Sequence, residues 1–228
     1  MTIGVTDVRV RGPFGAFTPL AIALYVGVIY GVIAIQWSHE RWDYYYLAEA
    51  FLEGRTWIQP LDRGFADTVV IGDRAYVPFP PLPAVVLMPL VWFVGVGALL
   101  PWEQTINVAL AATTVVLCWV LLGRVEVLSN STRLWLVALF ALSTPMWWIT
   151  VRGGPWHFAQ LLATALTIIG LLEAFGRRRP WLLGLLAAAS FLTRPTLLFA
   201  LPFYVAVSVI GRDAVSYTHL TLPTTPYV

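Results

Sequence analysis

The sequence predicts an all-α fold, a polytopic transmembrane helix bundle whose large exoplasmic first loop contains a juxtamembrane helix and a small hairpin. Three observations predict it. The 228-residue chain is 59% hydrophobic and only 11% charged, with a mean hydropathy of +0.77, whereas a soluble domain carries about a quarter charged residues. The apolar residues gather into runs of membrane-spanning scale. All 14 basic residues are arginines, and they stand between those runs rather than inside them. Scattered in this way, with a net charge of +2, they form no nucleic-acid-binding face. The single cysteine, Cys118, lies within an apolar run, which excludes an intrachain disulfide and a cysteine-rich metal site.

The runs fall at 17–37, 82–100, 106–122, 134–150, 158–176, 181–192 and 196–210. The first follows Arg9 and Arg11 and is long enough for a hydrocarbon core of ~30 Å. No small-residue cleavage site follows it, so it is read as an uncleaved span with a cytoplasmic N-terminus. If all seven runs cross, Arg124, Arg133 and the cluster Arg177-Arg178-Arg179 fall outside, against the bias of arginine toward cytoplasmic loops. If 82–100 instead returns to the side it left, these arginines join Arg9, Arg11 and Arg212 in the cytoplasm. The composition of that run agrees: Pro78, Pro80, Pro81, Pro83 and Pro89 crowd its start, and Gly95, Gly97 and Pro101 its end. Such residues suit an element buried against protein rather than a lipid-exposed span. Six spans and one non-crossing segment are therefore expected, in the plasma membrane. The arginine cluster is then a cytoplasmic anchor, and Trp147, Trp148 and Trp156 form an outer aromatic belt.

The first exoplasmic loop, about 38–105, holds eight of the 12 acids: Glu40, Asp43, Glu49, Glu53, Asp62, Asp67, Asp73 and Glu103. Within it Tyr44, Leu47, Ala48, Phe51 and Leu52 recur at helical spacing, with Asp43 where an N-cap stands and Gly54 as a stop. This amphipathic helix is expected to lie flat on the membrane, its tyrosines at headgroup depth. Val69-Val70-Ile71 and Arg74-Ala75-Tyr76-Val77 flank Gly72-Asp73, the pattern of a hairpin with a two-residue turn. The prolines from Pro78 to Pro83 then impose an extended lead into the apolar run.

These strings together, DYYYLAEAFLEGR (43–55), IGDRAYVPFPPLPA (71–84) and FLTRPTLLFALPF (191–203), resemble the polytopic GT-C glycosyltransferases of the protein mannosyltransferase and aminoarabinose transferase type. The resemblance covers most of 17–210. It implies an inverting transferase that takes sugar from a polyprenyl-phosphate carrier on the exoplasmic face, with an acid of the first loop as general base and a non-crossing segment after it. The acceptor is a lipid, a glycan or a protein. The family's usual Asp-Glu pair is absent; counting back from Gly54 reaches Glu40-Arg41, and the nearest Asp is Asp43. Asp43 and Glu40 are thus both candidates for the base, set against a helix cap for Asp43 and a solvated pair with Arg41 for Glu40.

Inverting transfer needs one carboxylate to take the acceptor's proton and a cation to stabilise the leaving phosphate. Arg194, between two apolar runs, is the first choice for that phosphate, because an arginine near hydrocarbon is functional by default. Arg74 is the second, set against a turn salt bridge to Asp73 or Asp67, which are themselves candidate substrate contacts. The short loop VRGGPWHF adds Arg152 and His157 as candidate contacts. No metal site is indicated: His39-Glu40 alone fills no coordination shell, and a divalent ion is left open. Gly95-Val96-Gly97 lacks the strand, third glycine and lysine of a phosphate-cradling loop, which disfavours a nucleotide-sugar donor. The expected partners are the polyprenyl-phosphate sugar and membrane lipid.

The alternative is a non-enzymatic membrane protein, a lipid-carrier flippase or an assembly subunit. It predicts ionisable groups at mid-membrane, where only Glu173 comes close, near the cytoplasmic end of its span. From Val215 the chain reads VSYTHLTLPTTPYV, and its first ten residues resemble one reading frame of a transposase sequencing adapter. Residues 215–228 are therefore expected to be translated adapter, and 1–214 the N-terminal part of a longer membrane domain.

Overall fold

The computed structural model describes residues 17–36, 43–60, 68–125 and 127–217, with side chains as far as 209. Glu40 and Asp67 lie outside the described residues.

Helix α1 (Phe17–Ala34) is apolar throughout. It buries Val26, Tyr30 and Ala34, one stripe at four-residue spacing, and leaves Leu20, Leu24, Val28 and Val32 exposed on its other side. The Tyr30 hydroxyl donates to the Ala141 carbonyl at 2.6 Å, which ties α1 to a helix far along the chain.

Helix α2 (Asp43–Leu52) forms where the periodicity places it. Gly54, at φ +73°, turns the chain out of it, and the Arg55 N–H closes the end on the Ala50 carbonyl at 2.7 Å. The expected hairpin is present as β1 (Val69–Ile71) and β2 (Arg74–Tyr76), antiparallel with Ile71 opposite Arg74. Its turn needs a positive φ at Gly72, +64°, which glycine adopts without strain. A third segment joins it: Ile58 and Ala75 exchange N–H···O bonds of 2.8 and 3.0 Å, pinning the loop after α2 to the hairpin.

Helix α3 (Leu82–Val94) starts with proline in its first turn, where a missing N–H is harmless. At 13 residues it is about 20 Å long, short of a ~30 Å crossing. It covers α2: Tyr44, Tyr45, Leu47 and Ala48 pack in one cluster with Ala84, Leu87 and Val91. Protein covers the faces of Tyr44 and Tyr45. Periodicity identified the buried face but not what buries it.

The apolar run 82–100 divides at Gly95, φ +81°. The residues beyond it form α4 (Val96–Leu99) and a 3₁₀ turn (Leu100–Trp102) that lead into α5 (Glu103–Leu122). Helix α6 (Asn130–Ser143) is capped by Ser129, whose hydroxyl accepts the Thr132 N–H at 3.2 Å. Helix α7 (Met146–Arg152) follows at a 45° bend across Thr144-Pro145, so the run 134–150 is broken rather than straight. Then come α8 (Pro155–Ala174), α9 (Pro180–Thr193), a 3₁₀ segment (Pro195–Ala200) and α10 (Leu201–Tyr217).

The structure is thus mostly helical. Among the described residues, Val96–Leu122 and Pro155–Ala174 are long and apolar enough to cross a membrane, and α6–α7 is a third if the bent pair is one span. Small residues line the helix contacts: Ala111, Ala141, Ala159, Ala163 and Ala165 are all buried. Close backbone approach is what drives helix association where the surroundings are as apolar as the helix. Gly170 is the extreme case, since a methyl group there would overlap the Tyr204 hydroxyl, which brings α10 against α8.

Candidate functional site

One end of the bundle collects the start of α2, α5 and α8 and the end of α7 and α9. Three contacts hold it together. Gln104, in the first turn of α5, donates to the Thr150 and Val151 carbonyls at 2.8 and 2.9 Å, capping α7. Gly153 and Gly154, at φ +60° and +83°, reverse the chain into α8 and aim the Gly154 N–H at Glu103 Oε1, 2.9 Å away. Arg194, just past α9, donates from Nη2 to the Trp156 carbonyl at 2.7 Å, with its guanidinium 4.7 Å from the centre of the Trp156 ring.

Asp43 is the first residue of α2 and only 1% exposed. The helix dipole favours a carboxylate at that end. Next to it Tyr44 packs its ring against Phe79 and Phe158, at centroid distances of 6.1 and 6.4 Å. Phe79 meets Trp156 edge-on at 6.3 Å. This aromatic wall carries the site from Asp43 to Arg194. Both charges act on the Tyr44 phenol through space: burial pushes its pKa well above the ordinary value, Arg194 pulls it down, and Asp43 pushes it up. Burial lowers the pKa of Arg194, and Tyr44 raises it; a guanidinium nonetheless stays cationic at neutral pH.

Beside this pair is a second polar group that the sequence reading did not single out. Tyr45, Glu103 and Asn107 line a cavity of about 10 Å³ with Tyr44, Gly154 and Phe158, room for about one water molecule. Glu103 and Asn107 are 6% and 1% exposed. The Tyr45 hydroxyl and both ends of the Asn107 amide have no hydrogen-bond partner among the described residues. The Tyr45 pKa is pushed up by burial and then by Glu103. A readable signal existed: Glu103 and Asn107 stand four apart at the start of an apolar run, which puts them on one helix face.

Arg194 also opens onto a groove of about 540 Å³ along α8, walled by Phe140, Ile168, Leu197, Thr164 and Thr167. The Thr164 and Thr167 hydroxyls fold back on their own helix, to the Gln160 and Ala163 carbonyls at 2.9 and 2.8 Å, which leaves Gln160, Thr196 and Arg194 as the polar part of the lining. The groove is of ligand-binding size, with one cation at its end.

The other candidates separate. His157 hydrogen-bonds the Gly153 backbone and lies within electrostatic reach of Arg152 and Arg194. Arg152 stacks on Trp148 at 5.5 Å. The structure therefore brings Asp43, Arg194, His157 and Arg152 to one end. Arg74 sits on the hairpin instead, 5.0 Å from the Trp57 ring centre and 3.9 Å from the exposed Asp73 carboxylate. That is the turn salt bridge weighed from the sequence. Among the described residues no group of three or more His, Cys, Asp or Glu is placed to hold a metal. The chain matches no protein-family model, no curated protein and no solved structure.

Proposed function

We propose that this chain carries the donor site of an inverting membrane glycosyltransferase that moves sugar from a polyprenyl-phosphate carrier to a lipid, glycan or protein acceptor. The observation that carries the reading is the placing of Asp43 and Arg194, from distant parts of the chain, at one end of the bundle, joined through the Tyr44, Phe79 and Trp156 rings. An acid and a cation held together by a water-excluding aromatic wall are what this displacement needs. The groove adds shape: an open, partly apolar groove that includes a guanidinium suits a long hydrocarbon with a phosphate head.

In this reading Arg194 holds the carrier phosphate and the isoprenoid lies along α8. Asp43 takes the proton of the acceptor hydroxyl as its oxygen attacks the anomeric carbon. The bond from that carbon to the phosphate oxygen breaks with its electron pair moving to the phosphate, whose new charge Arg194 offsets. The configuration inverts. Tyr44, kept neutral by burial, stays a hydrogen-bond donor between the two charges. The proposed topology sets the N-terminus in the cytoplasm and this end of the bundle on the exoplasmic face, with α3 lying against the bundle without crossing.

The test is reconstitution of the full chain in liposomes with a radiolabelled polyprenyl-phosphate sugar, following both donor binding and transfer. Asp43→Asn is expected to lower turnover by about 10²–10⁴-fold while donor binding and insertion persist; Glu40→Gln is the companion variant. Unchanged transfer in Asp43→Asn removes Asp43 as the base. Absence of saturable donor binding by the unaltered chain removes the reading altogether, and carrier translocation without transfer selects the flippase.

A further inference from the structure

At the opposite end of the bundle, the loop between α8 and α9 is built around one buried acid. Glu173 is 8% exposed, and its carboxylate accepts from the Arg179 N–H at 2.8 Å, from Nε at 3.0 Å and from Nη2 at 2.9 Å. Its carbonyl accepts from the N–H groups of Gly176 at 3.1 Å and Arg178 at 2.9 Å. Closing the loop on one residue forces Arg178 to φ +54°, the only positive φ at a non-glycine among the described residues. That conformation is strained for an ordinary side chain, and glycine would adopt it freely.

The outcome is a fixed display of charge. Arg179 is consumed by Glu173, while Arg177 and Arg178 are exposed. Arg124, past the end of α5, leans in from the facing loop: its Nη1 would lie 3.3 Å from a methyl group placed on Gly176. None of Arg124, Arg177 and Arg178 makes an ion pair among the described residues, and Glu173 acts on Arg177 only through space. Exposed arginines displayed on a strained, clamped loop, with a further arginine from the facing loop, repel one another and favour an anion nearby. Beside them Trp181 and Leu185, one turn apart on α9, are 66% and 59% exposed, an apolar strip descending from the charges.

We propose that Arg124, Arg177 and Arg178 form a seat for the phosphate of an anionic phospholipid, whose acyl chains run down the Trp181–Leu185 face. The apolar strip selects a lipid over a soluble anion. The seat rests on the membrane character of the bundle and not on the transfer reaction, so failure of either leaves the other standing.

The test is native mass spectrometry of the full chain in detergent with equal amounts of phosphatidylglycerol and phosphatidylcholine. Each arginine near a phosphate contributes about fivefold, so the unaltered chain is expected to prefer phosphatidylglycerol by on the order of a hundredfold. The combined variant Arg124→Gln, Arg177→Gln, Arg178→Gln is expected to bring the two lipids to parity. Arg133→Gln is expected to change nothing, because Arg133 is already docked on Trp119, 2.9 Å from its carbonyl and 3.9 Å from its ring centre. Should the triple variant fail to fold, Arg178→Gly keeps the test: it relieves the strain, so melting rises while the preference falls about fivefold. The proposal is overturned by preference retained in these variants, by an equal loss in Arg133→Gln, or by complete displacement of the lipid with millimolar inorganic phosphate.

Discussion

Glu173 and Asn107 are both buried polar side chains, at opposite ends of the bundle, and they are treated in opposite ways. Glu173 receives three N–H groups from Arg179. Asn107, 1% exposed, has no partner for either end of its amide among the described residues. A buried polar group normally finds its hydrogen bonds, and one that does not needs a reason. The Glu173 end meets that rule and serves to hold a loop in shape. The Asn107 end departs from it, beside the place where Asp43, Arg194 and Glu103 gather. One acid is fully bonded, and the other group keeps bonding capacity in reserve beside the candidate site.

The largest effect that sharpens this contrast comes from the same change made at each end. Arg194→Gln is expected to lower transfer by about 10²–10³-fold, the usual loss when a donor to developing charge is removed, with only a modest fall in melting from the lost contact to Trp156. Arg179→Gln is expected to lower the melting temperature and leave transfer alone. Thermal unfolding in detergent and the liposome assay, run on both proteins, read the contrast directly. If Arg179→Gln abolishes transfer as well, the two ends are not functionally separate.

Next in size is Glu173→Gln. It leaves the shape but removes the charge from a pair whose Arg179 side chain is 40% exposed. Screening at the exposed partner makes the loss much smaller than for a fully buried pair, so a modest fall in the unfolding midpoint is expected. Denaturant unfolding measures it; an unaltered midpoint means that the clasp contributes nothing to stability.

Alkaline pH probes the other end. Burial raises the pKa of Tyr44 and Tyr45, with Asp43 and Glu103 adding to it. The folded values therefore lie above the unfolded value near 10. Below that pH both states keep the phenol protons and stability is constant. Above it the unfolded chain releases protons that the folded chain retains, so stability falls as pH rises. Each phenol accounts for up to about 1.4 kcal/mol one pH unit above 10. Melting followed from pH 8 to 11, about the tyrosine range, is expected to slope downward, and Tyr44→Phe with Tyr45→Phe to flatten the slope. A slope unaltered by that pair places the alkaline weakness elsewhere.

Local features were legible in the sequence because they obey short-range rules. Gly72-Asp73 between β-branched and aromatic residues specifies the hairpin, and the spacing from Tyr44 to Leu52 specifies α2. Asp43 and Arg194 could be nominated by chemistry alone. What covers a face could not be: periodicity marks the side of α2 that is buried, and only the return of α3 decides that protein covers it. The Ile58–Ala75 bridge is likewise non-local. Glu103 was one acid among eight in a loop, and Asn107, one turn further on, fell inside an apolar run. Their meeting with Tyr45 depends on three helix ends converging, which no window along the chain contains. The split at Gly95 and the bend at Pro145 had visible causes, but an apolar run alone does not say which glycine or proline the chain obeys.

The smallest expected effect is also the one that most directly tests whether the Asn107 end is held in reserve. Asn107→Leu keeps the branching of the side chain and removes the amide. Burying an amide without partners is unfavourable by about 1–3 kcal/mol, and an apolar group of similar shape avoids that cost. The adjoining cavity of about 10 Å³ accepts part of the added volume. A gain of about 1 kcal/mol is expected, less whatever overpacking takes back. Transfer is expected to fall in the same protein, because a side chain kept at the expense of stability is kept for function. Stability and activity moving in opposite directions is the signature. If Asn107→Leu instead lowers stability, the amide is bonded in the membrane-embedded protein, and the two ends of the bundle follow the same rule.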